Sequence, residues 1–210
     1  MPMKISQLGA ALLAAAAILG STNAGASMIS YDTRAITTSF STSDYKAGWA
    51  AQTSGIASSS LAAFNGPSSP GNSFSRLTVD FDVASPTSIL FELGLDAGYG
   101  GEVWVDSTMA KRNTANLWWG STWSNTSQIL GTASFLLSTG HHVFTGFWAE
   151  DCCSGGQAGR FSTDNGKTWN ILSVSNLDSL KIAAVPEPGI LALFGIGLAG
   201  LAISRRKKAE

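Results

Sequence analysis

The most reactive side chains of this 210-residue sequence are gathered in one short stretch, Glu150-Asp151-Cys152-Cys153, followed by Ser154-Gly155-Gly156. Cys152 and Cys153 are the only cysteines, and being adjacent they cannot staple distant segments to each other. Neighbouring Cα atoms sit about 3.8 Å apart across a trans peptide, closer than the roughly 4.4–6.8 Å of ordinary disulfides. Three outcomes are open: a vicinal disulfide that locks the loop into a tight turn, two reduced thiols under the sheet, or pairing between chains. An oxidising compartment favours ring closure.

Oxygen ligands lie close by. Glu150 and Asp151 precede the cysteines, and Asp164-Asn165 follows one expected hairpin later. Converged, these four residues form a candidate ligand or ion loop suited to calcium, which takes about six to eight oxygens. Their spacing fits no standard ion-binding loop, and solvated turn residues are the plainer reading. A second cluster, Leu117-Trp118-Trp119-Gly120-Ser121-Thr122-Trp123, lies among asparagines and serines. Trp118, Trp119 and Trp123 either stack on sugar rings, for which an indole offers a rigid amphipathic face, or cap the end of a core.

Catalytic chemistry is poorly supplied. His141 and His142 are adjacent, so on a strand they point to opposite faces and cannot serve one centre. No nucleophile elbow, zinc-binding His pair or phosphate-binding glycine loop occurs. Glu102, Asp106 and Glu150 could in principle form the paired carboxylates of a glycosidase, but nothing in the sequence sets their separation. The expectation is a protein without enzymatic activity and without catalytic residues.

The elements that must position these residues read as strands. In 74–83, Leu77, Val79, Phe81 and Val83 share one face while Thr78, Asp80 and Asp82 share the other; in 87–95, Ile89, Phe91, Leu93 and Leu95 do the same. Further strands are expected at 102–106, 128–137, 141–150, 158–164 and 167–173. The last two flank Asn165-Gly166, whose residues tolerate the positive φ of a tight hairpin. The stretch 54–72, with Asn65-Gly66-Pro67 and Ser69-Pro70-Gly71, reads as a long loop. Eight to ten short strands predict an all-β fold, an antiparallel β-sandwich or jelly roll, over residues 27–184.

Both ends differ from this body. Lys4, an apolar run over 8–19 and Ala24-Gly25-Ala26 read as an export signal spanning 1–26. Near the other end, 189–203 is apolar and Arg205-Arg206-Lys207-Lys208 follows at once, as in a single transmembrane helix (189–204) with its basic stop on the cytoplasmic side. Between the ends, residues 27–185 hold 8 basic and 12 acidic side chains. Without a basic patch, nucleic acid is not an expected partner.

The C-terminal segment, Pro186-Glu187-Pro188 followed by an apolar helix and Arg205 to Lys208, resembles the PEP-CTERM sorting signal. That resemblance implies processing by an exosortase, passage through the inner membrane as an anchored precursor, and a final place at the cell surface or in a biofilm matrix among exopolysaccharides. Glu150-Asp151-Cys152-Cys153-Ser154-Gly155 resembles the E-x-C-C-x-G signature of the CCXG-type subgroup. Gly100 to Asp106 and the strand after Gly140-His141 are similar to PA14-like sandwiches, some of which bind glycans; Ser107 stands where those have glycine. The leading expectation is a non-enzymatic surface or matrix protein. Its alternatives are a glycan-binding module using the 118–123 loop and a carbohydrate-active enzyme.

Overall fold

The computed structural model describes residues 25–181. The expected tail (185–210) and nearly all of the expected export signal (1–26) lie outside the described residues. Among the described residues no helix is long and apolar enough to cross a membrane.

The chain opens with strand β1 (Met28–Ala35), crosses a short helix α1 (Tyr45–Ala51), and returns as β2 (Ala57–Leu61) and β3 (Asn65–Ser68). The long β4 (Ser73–Val83) and β5 (Thr87–Gly94) follow, then β6 (Asp96–Ala97), β7 (Gly101–Val105), β8 (Thr108–Asn113) and β9 (Leu117–Trp118). Next come β10 (Ile129–Gly131), β11 (Phe135–Leu137), β12 (Gly140–Glu150), β13 (Gly156–Ser162) and β14 (Asn170–Ile171), and a last helix α2 (Val174–Asp178). One antiparallel sheet runs β2-β1-β4-β12-β7-β8 and a second runs β10-β5-β13-β14, with β11 also pairing β5 and β3 pairing β13. The fold is the antiparallel sandwich that the alternation predicts.

The alternating residues of β4 and β5 form the interface between the sheets. Leu77, Val79, Phe81, Ile89, Phe91 and Leu93 are buried together with Phe144 and Phe161. Phe91 stacks on Phe144 across the layers, with ring centroids 4.3 Å apart. Burying each such side chain stabilises by about 1.5–3 kcal/mol, and with no distant cysteines to bridge, this core holds the body together.

Helix α1 covers the other face of the first sheet, where Tyr45 and Trp49 pack on Phe74, Phe147 and Ala149. Asp44 caps it by accepting the Ala47 N–H at 2.8 Å, a start signal too short-lived in sequence to show a helical period. The two ends of the body meet: the Ser27 N–H donates to Asp178 Oδ1 at 2.9 Å, and Lys181 binds the same carboxylate at 2.7 Å.

Three sequence expectations are corrected. The loop expected over 54–72 contains β2 and β3; β2 is an edge strand whose residues are nearly all exposed, so it has no apolar alternation to betray it. The strand expected at 128–137 is interrupted, because Thr132 turns back to bind the Phe91 backbone through its own N–H (2.9 Å) and its Oγ1 (3.0 Å). The strand expected at 167–173 shrinks to β14, although Asn165 and Gly166 take the predicted positive φ of 61° and 83°.

Candidate functional site

Positioning begins at β12, whose last residue is Glu150. Glu150 is 2 % exposed, and its carboxylate accepts the Gly98 N–H at 2.8 Å and the N–H groups of Asp151 and Cys152 at 3.1 Å each. Asp151 Oδ1 also accepts the Cys152 N–H, at 2.7 Å. Across a narrow cavity stands Asp96, buried at 7 % exposure and set by the β6–β9 pair directly opposite Trp118. Directly opposed residues share one face of a pair, so Trp118, which is 69 % exposed, stands beside the Asp96 carboxylate.

The cavity of about 220 Å³ is lined by Asp96, Asn116, Trp118, Glu150, Asp151, Cys152, Cys153, Ser154 and Gly155. Three carboxylates thus face one space with no basic side chain on its walls. Burial pushes the Glu150 carboxyl up to about 7, and the charge of Asp96 adds to the rise. Burial raises Asp96 too, with the Asp151 charge contributing. Asp151 moves the other way, held down by its hydrogen bonds to Glu150 and to the Cys152 N–H. The three carboxyls thus differ in how readily they hold a proton, Glu150 and Asp96 more so and Asp151 less so than an ordinary carboxyl.

Cys152 and Cys153 are exposed free thiols with their sulfurs 2.6 Å apart. The neighbouring thiol, followed by desolvation, raises Cys152 to about 11, the opposite of an activated nucleophile. Ligand atoms of Glu150, Asp151 and Cys152 lie within 4.8 Å of one another.

The four-residue ion loop is not assembled. β13 separates Glu150 and Asp151 from Asp164 and Asn165, and seven residues of strand put about 20 Å between its ends. Asp164 closes its own turn, accepting the Thr168 N–H (2.9 Å) and the hydroxyls of Thr168 (2.6 Å) and Ser162 (2.7 Å). Those bonds, Thr168 first, hold its carboxyl down at about 2. Asp96, which the sequence reading missed, joins Glu150 and Asp151 instead. The signal for it was a lone acid at the end of an apolar run, Leu93-Gly94-Leu95-Asp96-Ala97.

The three tryptophans do not share one platform either. Trp118 faces the carboxylate cavity, while its neighbour Trp119 points the other way and lies buried on Gly94. Trp119 packs on Trp123, with centroids 4.9 Å apart, over the outer face of the second sheet.

The carboxylates suggestive of a glycosidase are dispersed. Glu102 is fully buried, bound to Arg112 at 2.9 Å and to the Trp104 indole N–H at 3.0 Å. Asp106 lies past the end of β7, at a positive φ of 53°, and accepts the Val143 N–H at 2.9 Å. It binds the buried His142 at 2.9 Å, while His141 faces solvent.

Comparison with known proteins adds the following. Residues 184–207 match the family of the PEP-CTERM protein-sorting motif. No curated protein matches the chain. Among solved structures, the crystal structure of the PA14 domain of the MpAFP antifreeze protein is similar, with a TM-score of 0.50 at 12 % identity over 70 % of this chain and 87 % of that one. A PA14 sugar-binding domain from an RTX adhesin gives a TM-score of 0.49 at 12 % identity, over 72 % of this chain and 97 % of that one. The first likeness concerns the fold, a shared sandwich. The sorting motif implies export, an anchored precursor, processing by an exosortase and a cell-surface destination.

Proposed function

We propose that this exported surface protein is a non-enzymatic glycan binder, and that its sugar site is the cavity between Trp118 and the carboxylates of Asp96, Glu150 and Asp151. The single observation carrying this reading is the exposed indole standing directly across the β6–β9 pair from a buried carboxylate. A pyranose has an apolar C–H face and a hydroxyl rim. The first suits the open face of Trp118, and the second suits carboxylate oxygens that accept hydrogen bonds with no basic side chain beside them.

The sorting motif supports a setting rich in polysaccharide, and the host's own exopolysaccharide is the proposed partner. The same three carboxylates are the groups that would hold calcium, a hard cation that takes oxygen ligands and would supply charge balance here. Closure of Cys152 and Cys153 into a vicinal ring would fix one wall, since the Cys152 N–H orients both the Glu150 and Asp151 carboxylates.

A glycan array probed with the secreted protein, its Trp118→Ala form and its Asp151→Asn form tests the reading. Binding that falls in both variants is expected. A wild-type protein that binds no glycan, or one that hydrolyses its ligand, overturns it.

A further inference from the structure

The outer face of the second sheet carries a groove of about 250 Å³ that the Trp118 cavity does not reach, with Trp119, Trp123 and Trp169 on its walls. It exists because Gly94 leaves room for the Trp119 ring to lie on β5, and because the chain then returns over β13 with Trp123. Between them Arg160 projects from β13, its guanidinium carbon 4.3 Å from the Trp123 centroid and 4.1 Å from that of Trp169. The Asn165-Gly166 turn brings Trp169 and Asn170 back beside it, and Asn65 of β3 completes the rim.

The chemistry of this groove is specific. Arg160 is neutralised by Glu92 on the neighbouring strand, with Nε at 2.7 Å and Nη2 at 2.6 Å from one carboxylate oxygen. The groove therefore has aromatic walls and polar edges but no net charge to attract an anion. One donor at the groove remains unmet among the described residues. The Trp119 indole N–H is without a partner on a side chain only 9 % exposed. Buried polar groups left unmet are rare and call for a partner. An occupant must combine an apolar face, hydroxyl oxygens for that donor and for the Asn65 and Asn170 amides, and no charge.

We propose that this groove is a second carbohydrate site, taking one uncharged pyranose unit of a neutral polysaccharide. Trp118 and Trp119 are consecutive and face apart, so one short segment serves two sites on different sides of the body. A body with two such sites bridges two glycan chains, and its avidity for polymer exceeds that of either site alone. The bridging rests on the Trp118 reading; the groove does not.

The test uses the secreted protein with dextran and galactomannan as neutral polymers and alginate as an anionic one. Trp123→Ala should weaken neutral-polymer binding roughly two- to tenfold, the loss of one stacked ring. Asn170→Asp, an exposed change that leaves packing intact, should weaken it as well and guards against a folding defect in the first variant. Residual binding should survive Trp118→Ala, and aggregation of the polymer should be lost in either single-site variant. The groove is overturned if neither groove variant changes binding, if Trp118→Ala alone abolishes all of it, or if no neutral polymer binds. Preference for alginate at the groove refutes its uncharged specificity. If Trp118→Ala changes nothing while Trp123→Ala abolishes binding, the groove stands and the Trp118 reading falls.

Discussion

Replacing Gly94 by Ala should unseat Trp119, and the size of the effect can be worked out beforehand. Gly94 ends β5 between two pairing partners, opposite Ala158 on one side and Ile129 on the other, so its backbone cannot withdraw. A Cβ built there would lie 2.3 Å from Trp119 Cδ2, 2.5 Å from Cε2 and 2.6 Å from Cγ. These are fused-ring atoms, not the tip of a flexible chain, so the whole indole has to move. Overpacking of this kind costs about 1–3 kcal/mol. At about 2–4 °C per kcal/mol for a body of this size, the Tm should fall by about 2–12 °C. Indole emission should shift to the red as Trp119 meets water. Gly120→Ala is the control, since nothing lies within 4 Å of its added carbon; it should stay within about 0.5 kcal/mol of wild type. If Gly94→Ala and Gly120→Ala melt together with unchanged emission, Trp119 does not rest on Gly94, and the groove built on it is wrong.

Gly98→Ala should separate binding from stability. Its Cβ would meet Asp151 Oδ1 at 2.2 Å, but Asp151 is exposed and can swing aside, so the Tm should hold while glycan binding at the Trp118 cavity drops; unchanged binding would contradict the placement of Asp151. His142 carries a pH dependence. Burial opposes its charge, yet hydrogen bonds to Asp106 and the Ser138 carbonyl, with the charges of Asp106 and Asp82, hold its pKa above the ordinary 6.5. A raised folded-state value gives stability that is fully present below the unfolded-state pKa and lost as pH rises through the folded one. Urea midpoints at about pH 5.5 and about pH 8 should therefore diverge between wild type and His142→Gln at the acid end, and parallel profiles would refute the coupling. Deleting Pro186-Glu187-Pro188 should leave the basic tail on the protein, and intact mass shows whether it does. If the proposed vicinal ring closes on secretion, neither Cys152 nor Cys153 should react with a thiol reagent, and two labels, as the exposed free thiols would give, would rule the ring out.

What the sequence made legible follows from where burial leaves a pattern. β4 and β5 each bury one face, so Leu77 to Val83 and Ile89 to Leu95 alternate, and the sandwich could be read from them. β2 is an exposed serine-rich edge with no such pattern, and α1 is a single pair of turns, too short to establish a period. The site was half legible for the same reason. Glu150, Asp151 and the cysteines are contiguous and visible as a motif. Asp96 and Trp118 reach them only through the register of a two-residue strand pair, which no local signal sets. Asp164 looked close because a turn follows it, but the strand before that turn carries it to the opposite end. Arg160 and Trp169 join Trp123 by sheet pairing alone, and nothing in the 118–123 run announces them.

The most direct test of the account is a binding titration of the secreted protein against exopolysaccharide from the producing cells, run in parallel with Trp118→Ala. The account predicts saturable binding, weakened roughly fivefold in the variant, as expected for about 1 kcal/mol of lost stacking. Equal affinity of the two proteins, with both folded, would contradict it.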